Sequence, residues 1–264
     1  MDARKASSEI AQALLSGKKP LIFLDFDGTL AQISRRPDTA KMSRSMRSML
    51  RRLSRHAYVV VISGRKLSDL QRRVAIRGIS LAGNHGFEWS AFGSRGYKAV
   101  TWGELVALDQ ARYILTHLVQ EFSGASLEDK GFTMSVHYRL VEKMSAVRFR
   151  RLVYRSLRAI PSARHLRLQR GKKIIEVRPA SEWGKGACAH MLLRKKGARP
   201  TMYIGDDETD ESAFSALKKH GATIRIGTHP ITAAQYRLPN QSAVGVFLRA
   251  VLRALDRGDV VPIR

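Results

Sequence analysis

The 264-residue chain reads as an α/β protein, a doubly wound parallel sheet interrupted by an inserted α+β unit. Three observations predict this. Short, continuous apolar runs rich in β-branched residues recur in both the first and the last third of the chain, as suits parallel strands buried on both faces. Helical periodicities separate the runs, giving the strand–helix alternation of a doubly wound fold. Between residues 104 and 178 the rhythm changes, and a segment alternating apolar and polar side chains appears.

The runs place strands at 21–26, 58–62, 79–82, 201–204 and 223–226. In such a sheet the active site lies beyond the carboxyl ends of the strands, so the residues that follow each run are the ones to read for chemistry. Between 41 and 55, Met42, Met46, Met49, Leu50 and Leu53 recur at helical spacing, with Arg44, Arg47, Arg51 and Arg55 on the other face. That is an amphipathic surface helix. In the inserted block a helix carrying Leu105, Leu108, Leu115, Leu118, Val119 and Phe122 precedes a strand. The strand sets Phe132, Met134, Val136 and Tyr138 against Thr133, Ser135, His137 and Arg139. A second basic helix follows, with an apolar stripe of Leu152, Val153, Leu157 and Ile160 opposed to Arg148, Arg151, Arg155 and Arg158, and then short strands at 165–169 and 172–178. Strands with one polar side predict an antiparallel sheet with an open face. The expected organisation is a flexible stretch at 1–17, a core formed by 18–103 and 179–258, and an inserted domain at 104–178.

Composition bounds the function. One cysteine, Cys188, excludes an intramolecular disulfide, the chain opens on polar and charged residues rather than a signal peptide, and no apolar run approaches the length of a membrane span. A cytoplasmic protein with no membrane partner is expected. The formal charge of +25 raises nucleic-acid binding as a rival from a different functional class. Its arginines are scattered over helix faces, with dense stretches at 35–66 and 148–173, and no recognisable nucleic-acid module accompanies them, which argues against that rival.

Chemistry concentrates after the strands. Leu24-Asp25-Phe26-Asp27-Gly28-Thr29-Leu30 puts two carboxylates at the end of the first, pointing the same way if the strand continues. Paired carboxylates repel unless a cation lies between them, and Mg²⁺ prefers a few carboxylates, waters and phosphate oxygens. Gly28 permits a sharp turn, and Thr29 can offer a hydroxyl and an amide to an anion. An ionised aspartate can attack phosphorus while its neighbour handles the leaving-group proton. Ile62-Ser63-Gly64-Arg65 ends the second strand, and Trp183-Gly184-Lys185-Gly186 follows the insertion. Tyr203-Ile204-Gly205-Asp206-Asp207-Glu208-Thr209-Asp210-Glu211 packs five acidic residues behind an apolar strand in a chain otherwise short of acid.

These four elements resemble the motifs of haloacid dehalogenase phosphatases, whose Rossmann-like core carries an inserted cap domain. The resemblance implies Asp25 as nucleophile and Asp27 as acid/base, with the Asp27 main-chain carbonyl also a metal ligand. It implies Ser63 as a phosphoryl-binding hydroxyl and Lys185 as the cation offsetting charge on nucleophile and phosphate. It further implies Asp206 and Asp210, directly or through water, as Mg²⁺ ligands with Asp25 and Asp27, with Asp207 a further candidate. Gly83-Asn84-His85-Gly86-Phe87-Glu88, Leu127-Glu128-Asp129-Lys130, His137-Tyr138-Arg139 and Ile175-Glu176-Val177-Arg178-Pro179 narrow the resemblance to trehalose-6-phosphate phosphatases, over residues 20–250. It implies trehalose 6-phosphate as substrate, released as trehalose and phosphate through an aspartyl-phosphate intermediate. Glu128, Lys130 and Glu176 would contact glucosyl hydroxyls, with Arg139 and Arg178 in support. Arg65, His85 and Glu88 would bind substrate from the core, and a merely structural role is open to His137. The same chemistry would also serve sucrose phosphate, a mannosyl phosphoglycerate, or a phosphomannomutase-like transfer. Gln32 and Ser212 depart from the family pattern, where proline and aspartate are common, without removing a ligand.

Overall fold

A computed structural model describes residues 10, 13, 14, 18–34, 39–171 and 173–257. The chain divides into two units, Met1–Tyr97 with Trp183–Arg264, and Lys98–Glu182. The first carries β1 (Leu21–Leu24), β2 (Tyr58–Ile62), β3 (Ser80–Gly83), β4 (Glu88–Ala91) and β5 (Ser94–Tyr97). The second carries β6 (Ser126–Asp129), β7 (Met134–His137), β8 (Leu166–Gly171) and β9 (Ile174–Pro179). The first unit then resumes with β10 (Thr201–Gly205), β11 (Gly221–Ile226) and β12 (Tyr236–Leu238). Its helices are α1 (Arg44–His56) and α2 (Leu67–Val74), and those of the second unit are α3 (Trp102–Gln120) and α4 (Lys143–Ala159). After the insertion come α5 (Lys185–Lys196), α6 (Glu211–Leu217) and α7 (Gln241–Arg257).

In the first unit the strand order is β12-β11-β10-β1-β2-β3-β4-β5, parallel from β12 to β3 and antiparallel over the last two pairs. Period-two geometry in β1 sends Ile22 and Leu24 to one apolar layer, with Leu50 and Leu53 of α1 and Leu248 of α7. Leu21 and Phe23 go to the opposite layer, with Leu192 of α5 and Phe214 of α6. Both faces are therefore dry, which is why β1 is apolar at every position. The buried residues of α1, Met46, Met49, Leu50 and Leu53, are those that the helical spacing selects. Strand order reverses between β1 and β10, so the residues that follow these two strands sit at the switch point of the sheet.

Three features differ from the sequence expectation. β1 ends at Leu24 rather than continuing to 26, so Asp25 and Asp27 do not share a strand face. The sheet gains the β4–β5 hairpin and the edge strand β12, which are short and carry no long apolar run to announce them. Ile10 and Leu14, inside the stretch expected to be flexible, are buried in the first apolar layer. The rest of 1–17 apart from Ala13, the end from 258, and Arg35 and Lys172 of the basic stretches lie outside the described residues.

The second unit is an antiparallel sheet, β6-β7-β9-β8, with α3 and α4 on one side. Met134, Val136, Ile175 and Val177 from the sheet pack with Leu108, Ala111 and Leu115 of α3 and Phe149, Val153 and Leu157 of α4. The polar side is open only in part: Thr133 and Ser135 are fully buried, whereas His137 is half-buried and Arg139 exposed. α3 starts with a capping box in which the Thr101 hydroxyl accepts from Glu104 N and Glu104 Oε2 accepts from Thr101 N at 2.8 Å. The other Glu104 oxygen accepts from Ser181 N at 3.0 Å, joining the two ends of the unit. No helix among the described residues is long and apolar enough to cross a membrane.

Candidate active site

Asp25 follows β1 directly, and its amide donates to Ile204 O of β10 at 2.9 Å, so the two central strands jointly fix its backbone. Its side chain is buried. Lys185, at the start of α5, donates from Nζ to Asp25 Oδ1 at 2.7 Å and to Asp210 Oδ1 at 2.8 Å. Asp210 also accepts from the Tyr203 hydroxyl at 2.7 Å and, through Oδ2, from Asp207 N at 3.0 Å. Asp210 thus anchors the ammonium, and Tyr203 and the turn after β10 anchor Asp210. Burial would push the Lys185 ammonium down, but Asp210 and Asp25 more than reverse this and hold it above the ordinary lysine range. Burial pushes the Asp25 carboxyl well above its ordinary value; Lys185 opposes the rise, and Asp210 and Asp206 add to it.

Oxygens of Asp25, Asp206 and Asp210 lie within 4.8 Å of one another. Three carboxylates facing one ammonium leave a net negative cluster, and hard oxygen donors of this kind suit a small divalent cation. Gly28 makes the approach possible. It has φ +82°, and a Cβ there would lie 2.2 Å from Asp206 Oδ2. Asp207 instead forms a reciprocal cap with Asp210 on the turn that follows β10.

The Asp27 side chain takes a different direction. Arg65 grips both its oxygens, Nε to Oδ2 and Nη2 to Oδ1, each at 2.6 Å. The remaining guanidinium nitrogen, Nη1, donates to Asp69 Oδ2 of α2 at 3.0 Å. Ser63, buried after β2, accepts at Oγ from Arg65 N at 3.2 Å. His85 is buried in the left-handed region with φ 56°, and Gly64 makes room for its ring, since a Cβ on Gly64 would fall 2.6 Å from His85 Cε1. Glu88 Oε1 accepts from Leu67 N at 2.9 Å and from the Asn84 side chain at 2.5 Å, holding the start of α2. The buried Thr29 hydroxyl has no hydrogen-bond partner among the described residues.

In the second unit, strand register lines up Glu128, Ser135, Glu176 and Gln169 as one row across the sheet. Lys130 Nζ, buried, donates to Ser135 Oγ at 2.5 Å, and Ser135 Oγ donates to Glu176 Oε1 at 2.8 Å. The same ammonium lies 3.9 Å from Glu128 and 3.7 Å from Glu176. His137 Nε2 meets Glu128 Oε2 at 3.1 Å. Burial would raise the Glu128 carboxyl, but His137 and Lys130 hold it below its ordinary value. Arg178 shares the Glu176 side of β9, and burial pushes its guanidinium down against the pull of Glu176. Arg139 lies exposed beyond β7.

Sequence reasoning missed Tyr203 and Asp69. Tyr203 sits in a run read as purely apolar, and nothing in one strand announces which side chain meets its hydroxyl. Asp69 was open to detection, because it follows Arg65 at the i, i+4 spacing of helical ion pairs.

The family model for trehalose-phosphatase matches residues 23–242. A probable trehalose-phosphate phosphatase of Arabidopsis thaliana is 33% identical over 92% of this chain and 70% of its own length. A trehalose-phosphate phosphatase of Mycobacterium avium is 34% identical over 93% of this chain and 65% of its own. An uncharacterized glycosyl hydrolase of Mycobacterium tuberculosis is 36% identical over 94% of this chain, which spans 19% of that protein's length. Among solved structures, the C-terminal domain of a Candida albicans trehalose-6-phosphate phosphatase superposes with a TM-score of 0.81 at 20% identity, covering 94% of this chain and 96% of that one. A likeness at that identity speaks to the fold, whereas the family match and the curated relatives speak to descent. The chain belongs to the trehalose-phosphatase family.

Proposed function

We propose that the protein is a Mg²⁺-dependent phosphatase that hydrolyses trehalose 6-phosphate to trehalose and phosphate through an aspartyl-phosphate on Asp25. The observation that carries this is the buried Asp25–Lys185–Asp210 arrangement at the switch point of a trehalose-phosphatase fold, with Asp206 beside it. Asp25, Asp206 and Asp210, together with the Asp27 carbonyl that the family resemblance adds, would hold the cation. When bound, it offsets charge between the carboxylates and the phosphate dianion.

The chain's own residues do the rest. An Asp25 carboxylate oxygen forms a bond to phosphorus as the bond from phosphorus to the sugar oxygen breaks, and Asp27 delivers the proton that the departing oxygen takes. Asp27 then accepts a proton from water as that water attacks the aspartyl-phosphate, releasing inorganic phosphate and restoring Asp25. Lys185 keeps the buried nucleophile in place and supplies positive charge beside the transferring group. Ser63 and the Thr29 hydroxyl are the phosphate's hydrogen-bond donors. The Glu128–Lys130–Glu176 cluster contributes acceptors and a donor for sugar hydroxyls, with Arg139 and Arg178 in support. His85 and Glu88 serve the same substrate from the core.

The test is phosphate release by the purified chain from trehalose 6-phosphate, sucrose 6-phosphate and mannose 6-phosphate with added Mg²⁺, alongside Asp25→Asn. Preference for trehalose 6-phosphate, lost in the variant and on chelation, is the expected result. Equal turnover of all three sugars would remove the substrate assignment, and turnover by Asp25→Asn would remove the nucleophile.

A further inference from the structure

Asp69 gathers more cationic partners than any role in the proposed reaction requires. It lies on the first turn of α2 and receives Arg65 Nη1 at 3.0 Å, Arg73 Nε at 2.6 Å and Arg72 Nη2 at 3.2 Å. Arg73 is in turn tied to the main-chain oxygen of Ala40 at 2.6 Å, which fixes the far side of the carboxylate. Arg65 is the link to chemistry. Its side chain is only 11% exposed, and its Cζ stands 5.5 Å from the Phe26 ring centroid. Two of its nitrogens face Asp27 as a parallel fork and the third faces Asp69. A fork that grips both oxygens of a carboxylate sets the plane of that carboxylate as well as its position.

We infer that Asp69 is a positioning residue for proton transfer: it locks the Arg65 guanidinium in one plane, and through that fork it sets the direction from which the Asp27 carboxyl meets the leaving sugar oxygen. Arg65 on this account aims Asp27 and does not bind the substrate. A flexible arginine held at one end only would keep its charge near Asp27 but lose the plane. Arg73 and Arg65 together hold the Asp69 carboxyl below its ordinary value against the effect of burial.

The inference rests on Asp27 being the acid/base group, and leaving-group dependence separates the two. A sugar alkoxide leaves only with a proton, whereas nitrophenolate leaves without one, so a defect in proton delivery slows aspartyl-phosphate formation from the first substrate and spares it from the second. Single-turnover rates are measured for trehalose 6-phosphate and for the nitrophenolate burst from p-nitrophenyl phosphate. Asp27→Asn is the control: equal loss on both substrates there means that the acid role itself is wrong. Given a selective Asp27→Asn, Asp69→Asn is expected to slow the sugar phosphate about ten- to hundredfold, part of the roughly 10²–10⁴-fold that general acid catalysis supplies. Its KM and its nitrophenolate burst should stay within about twofold of wild type. Arg65→Lys, which keeps the charge and loses the fork, should show the same selectivity and carries the test if Asp69→Asn does not fold. The double variant should be no slower than the worse single one. Equal losses on both substrates in Asp69→Asn and Arg65→Lys, with Asp27→Asn still selective, would overturn the inference and leave the proposed function standing.

Discussion

Replacing Lys185 by Met tests the electrostatic centre most directly. The substitution keeps an unbranched chain in a buried position and deletes the one ammonium that stands 2.7 Å from Asp25 and 2.8 Å from Asp210. Both carboxylates would then face each other in a site where their side chains are 5% and 0% exposed. Removing one partner of a buried ion pair costs about 3–5 kcal/mol, because an uncompensated charge is left behind. At roughly 2–4 °C per kcal/mol for a unit of this size, the metal-free variant should melt about 6–20 °C below metal-free wild type at pH 7. Asp25 already has a carboxyl raised by burial, and loss of Lys185 raises it further. A carboxyl whose folded value exceeds its unfolded value gains stability as pH falls toward the unfolded value near 3.9, so the deficit should shrink on acidification to pH 5. Loss of the one ammonium beside the nucleophile and the transferring phosphoryl group should lower phosphate release at pH 7 by about a hundredfold or more. Thermal unfolding of both proteins at the two pH values, with turnover at pH 7, makes the measurement. A variant that melts within about 1 °C of wild type, or a deficit that widens at low pH, would show that Lys185 does not hold these carboxylates together.

Three further outcomes are expected. Glu128→Ala, Lys130→Ala and Glu176→Ala should each lower kcat/KM for trehalose 6-phosphate by about ten- to a hundredfold, as for loss of a hydrogen bond to a charged group, while p-nitrophenyl phosphate turnover changes little; parallel losses on both substrates would deny these residues a sugar-binding role. Mg²⁺ at about a hundred times its dissociation constant should stabilise the protein by about 2.7 kcal/mol, and Asp206→Asn should abolish the shift, so an unchanged metal response in that variant would remove Asp206 from the site. Burial would raise the Glu104 carboxyl, but donors from Thr101 and Ser181 hold it below its ordinary value. Its contribution is therefore present above the unfolded value near 4.3 and is lost as pH falls through the lower folded one. Melting curves of wild type and Glu104→Gln should differ by about 0.5–2 kcal/mol at pH 7 and draw together as the pH is lowered below the unfolded value, whereas a constant offset would count against the charged cap.

The core was legible in the sequence where one chemical pattern dominates a whole element. β2 (Tyr58–Ile62) is buried on both faces, and α1 shows its buried Met46, Met49, Leu50 and Leu53 at unbroken helical spacing. Asp25, Asp206 and Asp210 stood out because clustered carboxylates behind apolar strands have few other uses, Lys185 entered only through the family resemblance, and the four side chains do converge. What stayed hidden depends on partners remote in sequence. The β4–β5 hairpin is held by pairing with β3 more than by its own composition, and Glu88 on it binds the main chain of Leu67. The different directions taken by the Asp25 and Asp27 side chains likewise follow from β1 ending at Leu24, a boundary that periodicity cannot fix to within two residues.

The clasp of Glu104 on Ser181 bears on how such a chain finds its fold. Pairing β1 with β10 and seating Lys185 against Asp25 joins residues 160 apart, the kind of long-range closure that slows folding and leaves strand edges exposed while it is pending. Glu104 and Ser181 are 77 residues apart, so once the inserted unit has formed and its ends are pinned, close to half of that span no longer counts as free loop. The entropy recovered is small, about 0.6 kcal/mol for a halving. The larger effect is on order of events: a unit with its own apolar core and joined ends can assemble first, and the parallel sheet then searches as though the insertion were a short turn. Weakening the clasp would accordingly be felt in the refolding rate of the parallel sheet, a property of residues that never touch it.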